Sequence, residues 1–146
     1  MAHKILLVDD EPFIAEEASE ALTDEGYDCI AVNSVDAAMK TLKNNPDIAV
    51  IVTDMKMPGK SGADLIREVR EGLAPDMKFI VMSGHGGITV GMNGVDIKAY
   101  PFLRKPLDIF ELIGSVKTVL ARTESPREFR RLVGVSQAAP DDSSSC

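Results

Sequence analysis

Charged and hydroxyl side chains follow four short apolar runs of the sequence, at the point where each run ends. In chain order they are Asp9-Asp10-Glu11, Asp54, Ser83 and Lys105. Carboxylates that converge without a base repel one another and raise each other's pKa, so such a group requires a cation. A few oxygen ligands open to solvent suit hydrated, octahedral Mg²⁺. A divalent cation, an ammonium and a hydroxyl around one carboxylate are what transfer of a phosphoryl group onto that carboxylate requires, so we predict acyl-phosphate chemistry.

The elements that must position these residues alternate along the chain. Short apolar runs rich in β-branched residues predict five strands, at residues 5–8, 29–32, 48–52, 79–82 and 99–103. Four amphipathic helices are predicted by their starts, namely Pro12 at a first helical position, Ser34 as an N-cap, a capping box from Ser61 to Asp64, and the stretch after Pro106. A further helix within residues 84–98 is predicted only weakly, because each of its interior glycines costs up to about 1 kcal/mol relative to alanine.

This alternation predicts an α/β fold with a doubly wound, five-stranded parallel sheet and helices on both faces. Right-handed crossovers leave few topologies, of which the common one for five strands has the order 2-1-3-4-5. Ligands then bind beyond the carboxyl ends of strands 1 and 3, where the winding reverses. The charged residues follow the strands at that same edge of the sheet.

Composition excludes several classes of function. The 146 residues suit one domain, and a formal net charge of −7 disfavours direct binding to nucleic acid. The two cysteines, Cys29 and Cys146, have neither a metal-binding spacing nor the pattern of a disulfide framework. No apolar run approaches the roughly twenty residues that span a bilayer. We therefore expect a cytoplasmic protein without a membrane segment.

Four segments of the sequence resemble the signature segments of bacterial response regulator receiver domains. They are residues 5–11 (ILLVDDE), 54–62 (DMKMPGKSG), 82–84 (MSG) and 102–106 (FLRKP). The resemblance spans residues 4 to about 121, and it implies the flavodoxin-like receiver fold, of which the strand order above is typical. The chain departs from the pattern at Tyr100-Pro101, where a small residue and a strand-compatible residue are more usual.

The resemblance implies a role for each matching position. Asp54 would be the phosphoacceptor, and Asp10 and Asp54 would hold Mg²⁺ with the backbone carbonyl of Lys56, while Asp9 would act through a water. Lys105 and Ser83 would bind phosphoryl oxygens. Ser83 and Phe102 would form the switch, and Lys56 and His85 would tune the rate at which water removes the phosphoryl group.

The resemblance also implies partners and an output. The phosphoryl donor would be a histidine kinase or a histidine phosphotransfer protein. The output would be a downstream protein target or a fused output domain, and the fourth helix, fifth strand and fifth helix could form a homodimer interface. The chain would be a signalling switch that catalyses only its own phosphorylation and dephosphorylation, rather than an enzyme.

Two other classes of function compete with this interpretation. One is a small phosphatase with an aspartyl nucleophile on strand 1, which usually needs Asp-x-Asp where this chain has Glu11 in the second place. The other is a receiver-like interaction module that never takes phosphate.

The domain boundary is expected near residue 122. Residues 1–122 would form the receiver domain, and residues 123–146 a C-terminal extension that is partly helical and then a disordered tail or linker. The chain would act either as a single-domain regulator, which we favour, or as the amino-terminal part of a longer protein.

Overall fold

A computed structural model describes residues 3–84 and 99–122 of the chain. Within these residues strands and helices alternate as predicted. In chain order they are β1 (Lys4–Val8), α1 (Pro12–Asp24), β2 (Asp28–Val32), α2 (Val35–Asn44), β3 (Ile48–Asp54), α3 (Gly62–Gly72), β4 (Lys78–Ser83), β5 (Phe102–Arg104) and α4 (Ile109–Ala121).

The five strands form one parallel sheet in the order β2-β1-β3-β4-β5, which confirms the predicted topology. The central strands are buried on both faces, as the unbroken apolar runs of β1, β3 and β4 predicted. Because all the strands run in one direction, their carboxyl ends lie at one edge of the sheet.

Two apolar layers cover the two faces of the sheet. Alternate residues of β1 divide between them, with Leu6 and Val8 packed towards α2 and α3, and Ile5 and Leu7 packed towards α1 and α4. All four of these β1 side chains are fully buried. Any shift of β1 along its neighbours by one residue would exchange the two layers, so the packing fixes the position of Asp9 at the end of the strand.

The helix starts predicted from the sequence are confirmed. Pro12 is the first residue of α1, and the Ser34 side chain accepts a hydrogen bond from the Ala37 backbone N–H at 3.1 Å. At the start of α3 the Asp64 N–H donates to Ser61 Oγ (3.2 Å), and the Ser61 N–H donates to Asp64 Oδ2 (2.8 Å). This reciprocal pair is a complete capping box, and it fixes where α3 begins relative to the end of β3.

The predicted fifth strand, residues 99–103, is wrong in its bounds. β5 comprises only Phe102–Arg104, because Pro101 has no N–H to donate and the residues before it do not join the sheet. The Pro101 carbonyl still accepts a hydrogen bond from the Val81 N–H at 2.9 Å. β5 lies at the edge of the sheet, as the order 2-1-3-4-5 predicted, and an edge strand tolerates a neighbouring proline.

Several sequence predictions lie outside the described residues. They concern the weakly predicted helix within residues 84–98, of which only Gly84 is described, and the C-terminal extension at residues 123–146. None of the helices in the described part of the chain is both long and apolar enough to cross a membrane.

Candidate functional site

Two buried carboxylates meet at the carboxyl edge of the sheet. Asp9 directly follows β1 and Asp54 ends β3, and these two strands are neighbours, with Val8 paired to Thr53. Asp9 is 1% exposed and Asp54 is 5% exposed. Buried carboxylates are rare unless a cation or hydrogen-bond donors compensate them, so their position calls for a compensating group.

Lys105, one residue after β5, supplies a cation to this pair. Its Nζ lies 3.0 Å from Asp9 Oδ2, 3.0 Å from Asp54 Oδ2 and 2.8 Å from Glu11 Oε1. The Lys105 side chain is only 10% exposed, whereas that of Glu11 is 55% exposed. These three carboxylates and the ammonium together carry a formal charge of −2.

The ammonium is held firmly in its charged form. Burial lowers the pKa of Lys105, but its hydrogen bonds to Glu11 and Asp54 and its close contact with the Asp9 carboxylate outweigh that effect and raise the pKa above its ordinary value. Lys105 is therefore a fixed positive charge beside Asp54.

The two oxygens of Asp9 differ in their environment. Oδ1 accepts a hydrogen bond from the Glu11 N–H at 2.9 Å. Oδ2 is buried and accepts no hydrogen bond from the described residues, because the Lys105 ammonium approaches at ion-pair distance without hydrogen-bond geometry. Burial raises the pKa of Asp9, and the hydrogen bond from the Glu11 N–H and the nearby Lys105 oppose this only in part. Asp9 Oδ2 thus lacks part of the compensation that a buried charge needs.

Asp54 is oriented by its own loop. Its Oδ1 accepts a hydrogen bond from the Lys56 N–H at 3.2 Å, while Oδ2 contacts Lys105. The hydroxyl of buried Thr53 donates to the Asp54 carbonyl oxygen at 2.9 Å. The Asp54 carboxylate is therefore fixed at both oxygens, with its backbone held as well.

The acidic cluster observed here differs in one member from the expected metal ligands. Oxygens of Asp9, Glu11 and Asp54 lie within 4.8 Å of one another, whereas Asp10 is not in this cluster. Glu11 has an extended backbone, and alternate residues of extended chain point to the same side, so Asp9 and Glu11 face Lys105 together. Asp10 and Asp9 both line a cavity of about 420 Å³ bounded by α1, β2 and the start of α2.

This donor set fits a hard divalent cation. All the donors are oxygens, one buried oxygen lacks a hydrogen bond within the described chain, and the formal charge of −2 equals in size the charge of one such ion. The cluster at the ends of β1 and β3 is therefore consistent with a metal site.

The remaining predicted site residues surround this cluster. Ser83 ends β4, and its carbonyl accepts a hydrogen bond from the Lys105 N–H at 2.8 Å, which ties the two residues together. Lys56 is exposed, two residues beyond Asp54. Phe102 in β5 pairs with Val81 and is 38% exposed, so its ring lies at the surface. His85 lies outside the described residues.

Gly62 contributes to the site in a way that sequence analysis missed. A Cβ at this first residue of α3 would collide with the Asp54 carbonyl oxygen and would lie 2.9 Å from the Met55 sulfur. The Gly62 N–H also donates to the Met55 carbonyl at 3.1 Å. Only glycine lets α3 begin this close to Asp54. The signal available in the sequence is the Ser-Gly pair at the helix start.

Comparisons with known proteins agree with this geometry. The family model described as "Response regulator receiver domain" matches residues 5–117. A solved receiver protein from Sinorhizobium medicae is 33% identical, with a TM-score of 0.73 over 84% of this chain and 98% of that one. A receiver domain protein from Clostridium thermocellum is 29% identical, with a TM-score of 0.69 over 82% of this chain and 95% of that one.

Curated relatives extend the similarity to longer proteins. The phosphate regulon transcriptional regulatory protein PhoB of Pseudomonas aeruginosa is 35% identical over 121 residues, which are 82% of this chain and 52% of PhoB. The TorCAD operon transcriptional regulatory protein TorR of Escherichia coli is 28% identical over 128 residues, which are 88% of this chain and 54% of TorR. The chain thus spans about half the length of these two relatives.

Proposed function

Because the chain belongs to the response regulator receiver domain family, we propose that Asp54 accepts a phosphoryl group from a histidine kinase or a histidine phosphotransfer protein. A receiver domain is a phosphoacceptor signalling module rather than a true enzyme. The observation that carries the proposal is the buried Asp54 carboxylate, 3.0 Å from the Lys105 ammonium and beside the incompletely compensated Asp9.

The chemistry proposed at Asp54 is a simple group transfer. A carboxylate oxygen of Asp54 forms a bond to phosphorus as the P–N bond of the donor phosphohistidine breaks, and the departing imidazole keeps the electron pair and takes up a proton. Lys105 and the Ser83 hydroxyl hold phosphoryl oxygens. When bound, Mg²⁺ supplies the charge neutralisation that brings the dianionic phosphoryl group to a carboxylate.

We assign Mg²⁺ to Asp9 and Asp54, which belong both to the observed cluster and to the ligand set implied by the resemblance. Asp10 and the Lys56 carbonyl complete that implied set. All three carboxylates contact Lys105, but only the Glu11 side chain is largely exposed, so solvent screens its charge and we propose that it acts mainly as a partner of the ammonium. This division between Asp9 and Glu11 is open to direct measurement.

Asp9→Asn should weaken Mg²⁺ binding by about ten-fold or more. It removes the charge of a buried ligand, and at a buried position solvent does not screen the attraction between that charge and the cation. Glu11→Gln removes the same charge from an exposed position and should weaken binding only about two- to three-fold, since solvent screens it. Isothermal titration with MgCl₂ measures both variants, and Asp10→Asn should behave like Asp9→Asn. Equal effects of Asp9→Asn and Glu11→Gln would contradict our assignment.

The proposed function is tested by labelling with a small phosphodonor. We expect phosphoramidate to add one phosphoryl group per chain in the presence of MgCl₂ and none in EDTA, as followed by intact mass. A sample that is folded by circular dichroism and takes no label in MgCl₂ would contradict phosphoryl acceptance and favour an interaction module that never takes phosphate.

The output is proposed to depend on Ser83 and Phe102. Phosphorylation would draw the Ser83 hydroxyl towards the phosphoryl group and allow the exposed Phe102 ring to move inwards, reshaping the surface around β5 and α4. The position of Ser83 at the end of β4, where it is only partly buried, and the surface position of Phe102 support this switch. Lys56 and His85 would tune the lifetime of the phosphorylated state.

We propose that residues 1–122 form the receiver domain and that residues 123–146 form a separate extension. The target would be a downstream protein or a fused output domain, and PhoB and TorR, which are described as transcriptional regulatory proteins, support a regulatory output. The surface around β5 could also form a homodimer. Two cysteines without a disulfide pattern support a cytoplasmic location.

A further inference from the structure

The Arg70 guanidinium, near the end of α3, joins three segments of the chain. Its Nε donates a hydrogen bond to the Tyr100 hydroxyl at 2.7 Å, and Nη2 donates to the Met77 carbonyl at 3.1 Å. Nη1 donates to the Pro75 carbonyl. The α3–β4 loop and the segment before β5 are therefore held by one side chain.

Aromatic contacts strengthen this junction. The Arg70 guanidinium carbon lies 5.3 Å from the centre of the Tyr100 ring and 5.6 Å from the centre of the Phe79 ring. The two rings meet edge to face, with their centres 5.9 Å apart, and Phe79 is fully enclosed in the core. Cation–π contact and a hydrogen bond to a charged donor are both stronger than their neutral counterparts, so Tyr100 is firmly anchored.

The strand next to this junction has few contacts of its own. β5 has three residues and lies at the edge of the sheet, and within residues 3–84 and 99–122 it pairs with β4 alone. Only Pro101 separates Tyr100 from the start of β5, and Lys105 is the first residue after β5. Any displacement of β5 along or away from β4 therefore moves the Lys105 ammonium relative to Asp9 and Asp54.

We propose that Arg70 and Tyr100, which we call the β5 anchor, are positioning residues for phosphoryl transfer. By fixing the start of β5 against α3 and Phe79, the anchor keeps Lys105 at 3.0 Å from Asp54. This inference rests on the proposed function of Asp54 and Lys105. Tyr100 is also one of the two residues at which the sequence departs from the receiver segments that it otherwise resembles.

Two substitutions disrupt the β5 anchor to different extents. Tyr100→Phe keeps the ring and its aromatic contacts but loses the hydrogen bond from Arg70, and Arg70→Gln removes the guanidinium entirely. Matched controls are Tyr27→Phe, at the other tyrosine of the chain, and Arg67→Gln, which removes the same charge from an exposed position on α3. The milder Tyr100→Phe keeps the test valid if Arg70→Gln fails to fold.

The first readout is amide hydrogen exchange, which needs no phosphorylation. Loss of one hydrogen bond from a charged donor should speed exchange in the peptide that contains β5 and Lys105 on the order of ten-fold, while β1 and β3 keep their protection. Unchanged exchange at β5, or an equal loss of protection in all strands, would overturn the inference.

The second readout is the phosphorylation rate with phosphoramidate at saturating MgCl₂. Tyr100→Phe and Arg70→Gln should lower this rate by about two- to ten-fold, since small misplacements of a catalytic group are costly. The Mg²⁺ affinity should not fall, because the proposed ligands lie at the ends of β1 and β3. Both controls should keep the wild-type rate. If the variants exchange faster at β5 but are phosphorylated at the wild-type rate, the positioning role is overturned. If the wild type itself takes no label, the proposed function is contradicted, and hydrogen exchange alone then decides whether the β5 anchor holds the strand.

Discussion

Lys105→Met is expected to lower the free energy of unfolding in EDTA by about 2 to 4 kcal/mol, because it leaves buried carboxylates without their cation. Lys105 Nζ contacts Asp9, Asp54 and Glu11 at 2.8 to 3.0 Å, and methionine keeps the apolar part of the side chain but none of the charge. The same substitution should slow phosphorylation by about a hundred-fold, the typical cost of losing one charged group that stabilises a transition state.

Magnesium should reverse part of this loss of stability. Without the ammonium the site carries three uncompensated carboxylates, so it attracts a divalent cation more strongly and gains more stability from it than the wild type does. Urea unfolding in EDTA and in MgCl₂ measures both effects. Lys117→Met is the control, since Lys117 pairs with Glu25 on the surface at 3.2 Å and should cost less than about 1 kcal/mol. A Lys105→Met protein as stable as the wild type in EDTA would show that the ammonium does not compensate the acidic cluster.

Gly62→Ala is expected to destabilise the protein by about 1 to 3 kcal/mol, because the added methyl group meets backbone rather than a flexible side chain. The methyl would collide with the Asp54 carbonyl oxygen, so relief of the collision must displace either α3 or the end of β3. Displacement of β3 moves the proposed phosphoacceptor, and the phosphorylation rate should therefore fall together with the midpoint of urea unfolding.

The control for Gly62→Ala lies at the other end of the same helix. A Cβ at Gly72, the last residue of α3, would meet nothing within 4 Å. Gly72→Ala should therefore be neutral or stabilising by up to about 1 kcal/mol, since alanine loses less backbone entropy in a helix. If Gly62→Ala were as stable and as readily phosphorylated as Gly72→Ala, the close approach of α3 to Asp54 would matter neither for stability nor for phosphorylation.

The parts of the fold that depend on local sequence could be predicted. The capping box of Ser61 and Asp64 involves residues only three positions apart. The apolar composition of β1, β3 and β4 is enough to predict that these strands are buried. The convergence of Asp9 and Asp54 also followed, because the strand order alone brings the ends of β1 and β3 together.

Features that depend on backbone direction or on distant contacts could not be predicted. Glu11 rather than Asp10 belongs to the acidic cluster because the backbone after β1 is extended. A run of three acids does not reveal that backbone conformation. The contact between Arg70 and Tyr100 joins residues thirty positions apart. β5 is short because of Pro101. The sequence alone does not show where Pro101 lies relative to β4, so it does not show where β5 begins.

The central claim is that the phosphoryl group resides on Asp54, and mapping the acyl phosphate tests it most directly. The labelled protein is trapped by reduction with borohydride, digested and analysed by peptide mass, with Asp54→Asn labelled in parallel. We predict modification of Asp54 alone in the wild type and no stable label in Asp54→Asn. Modification of Asp9 instead, or equal labelling of Asp54→Asn, would contradict the account and favour an aspartyl nucleophile at the end of β1.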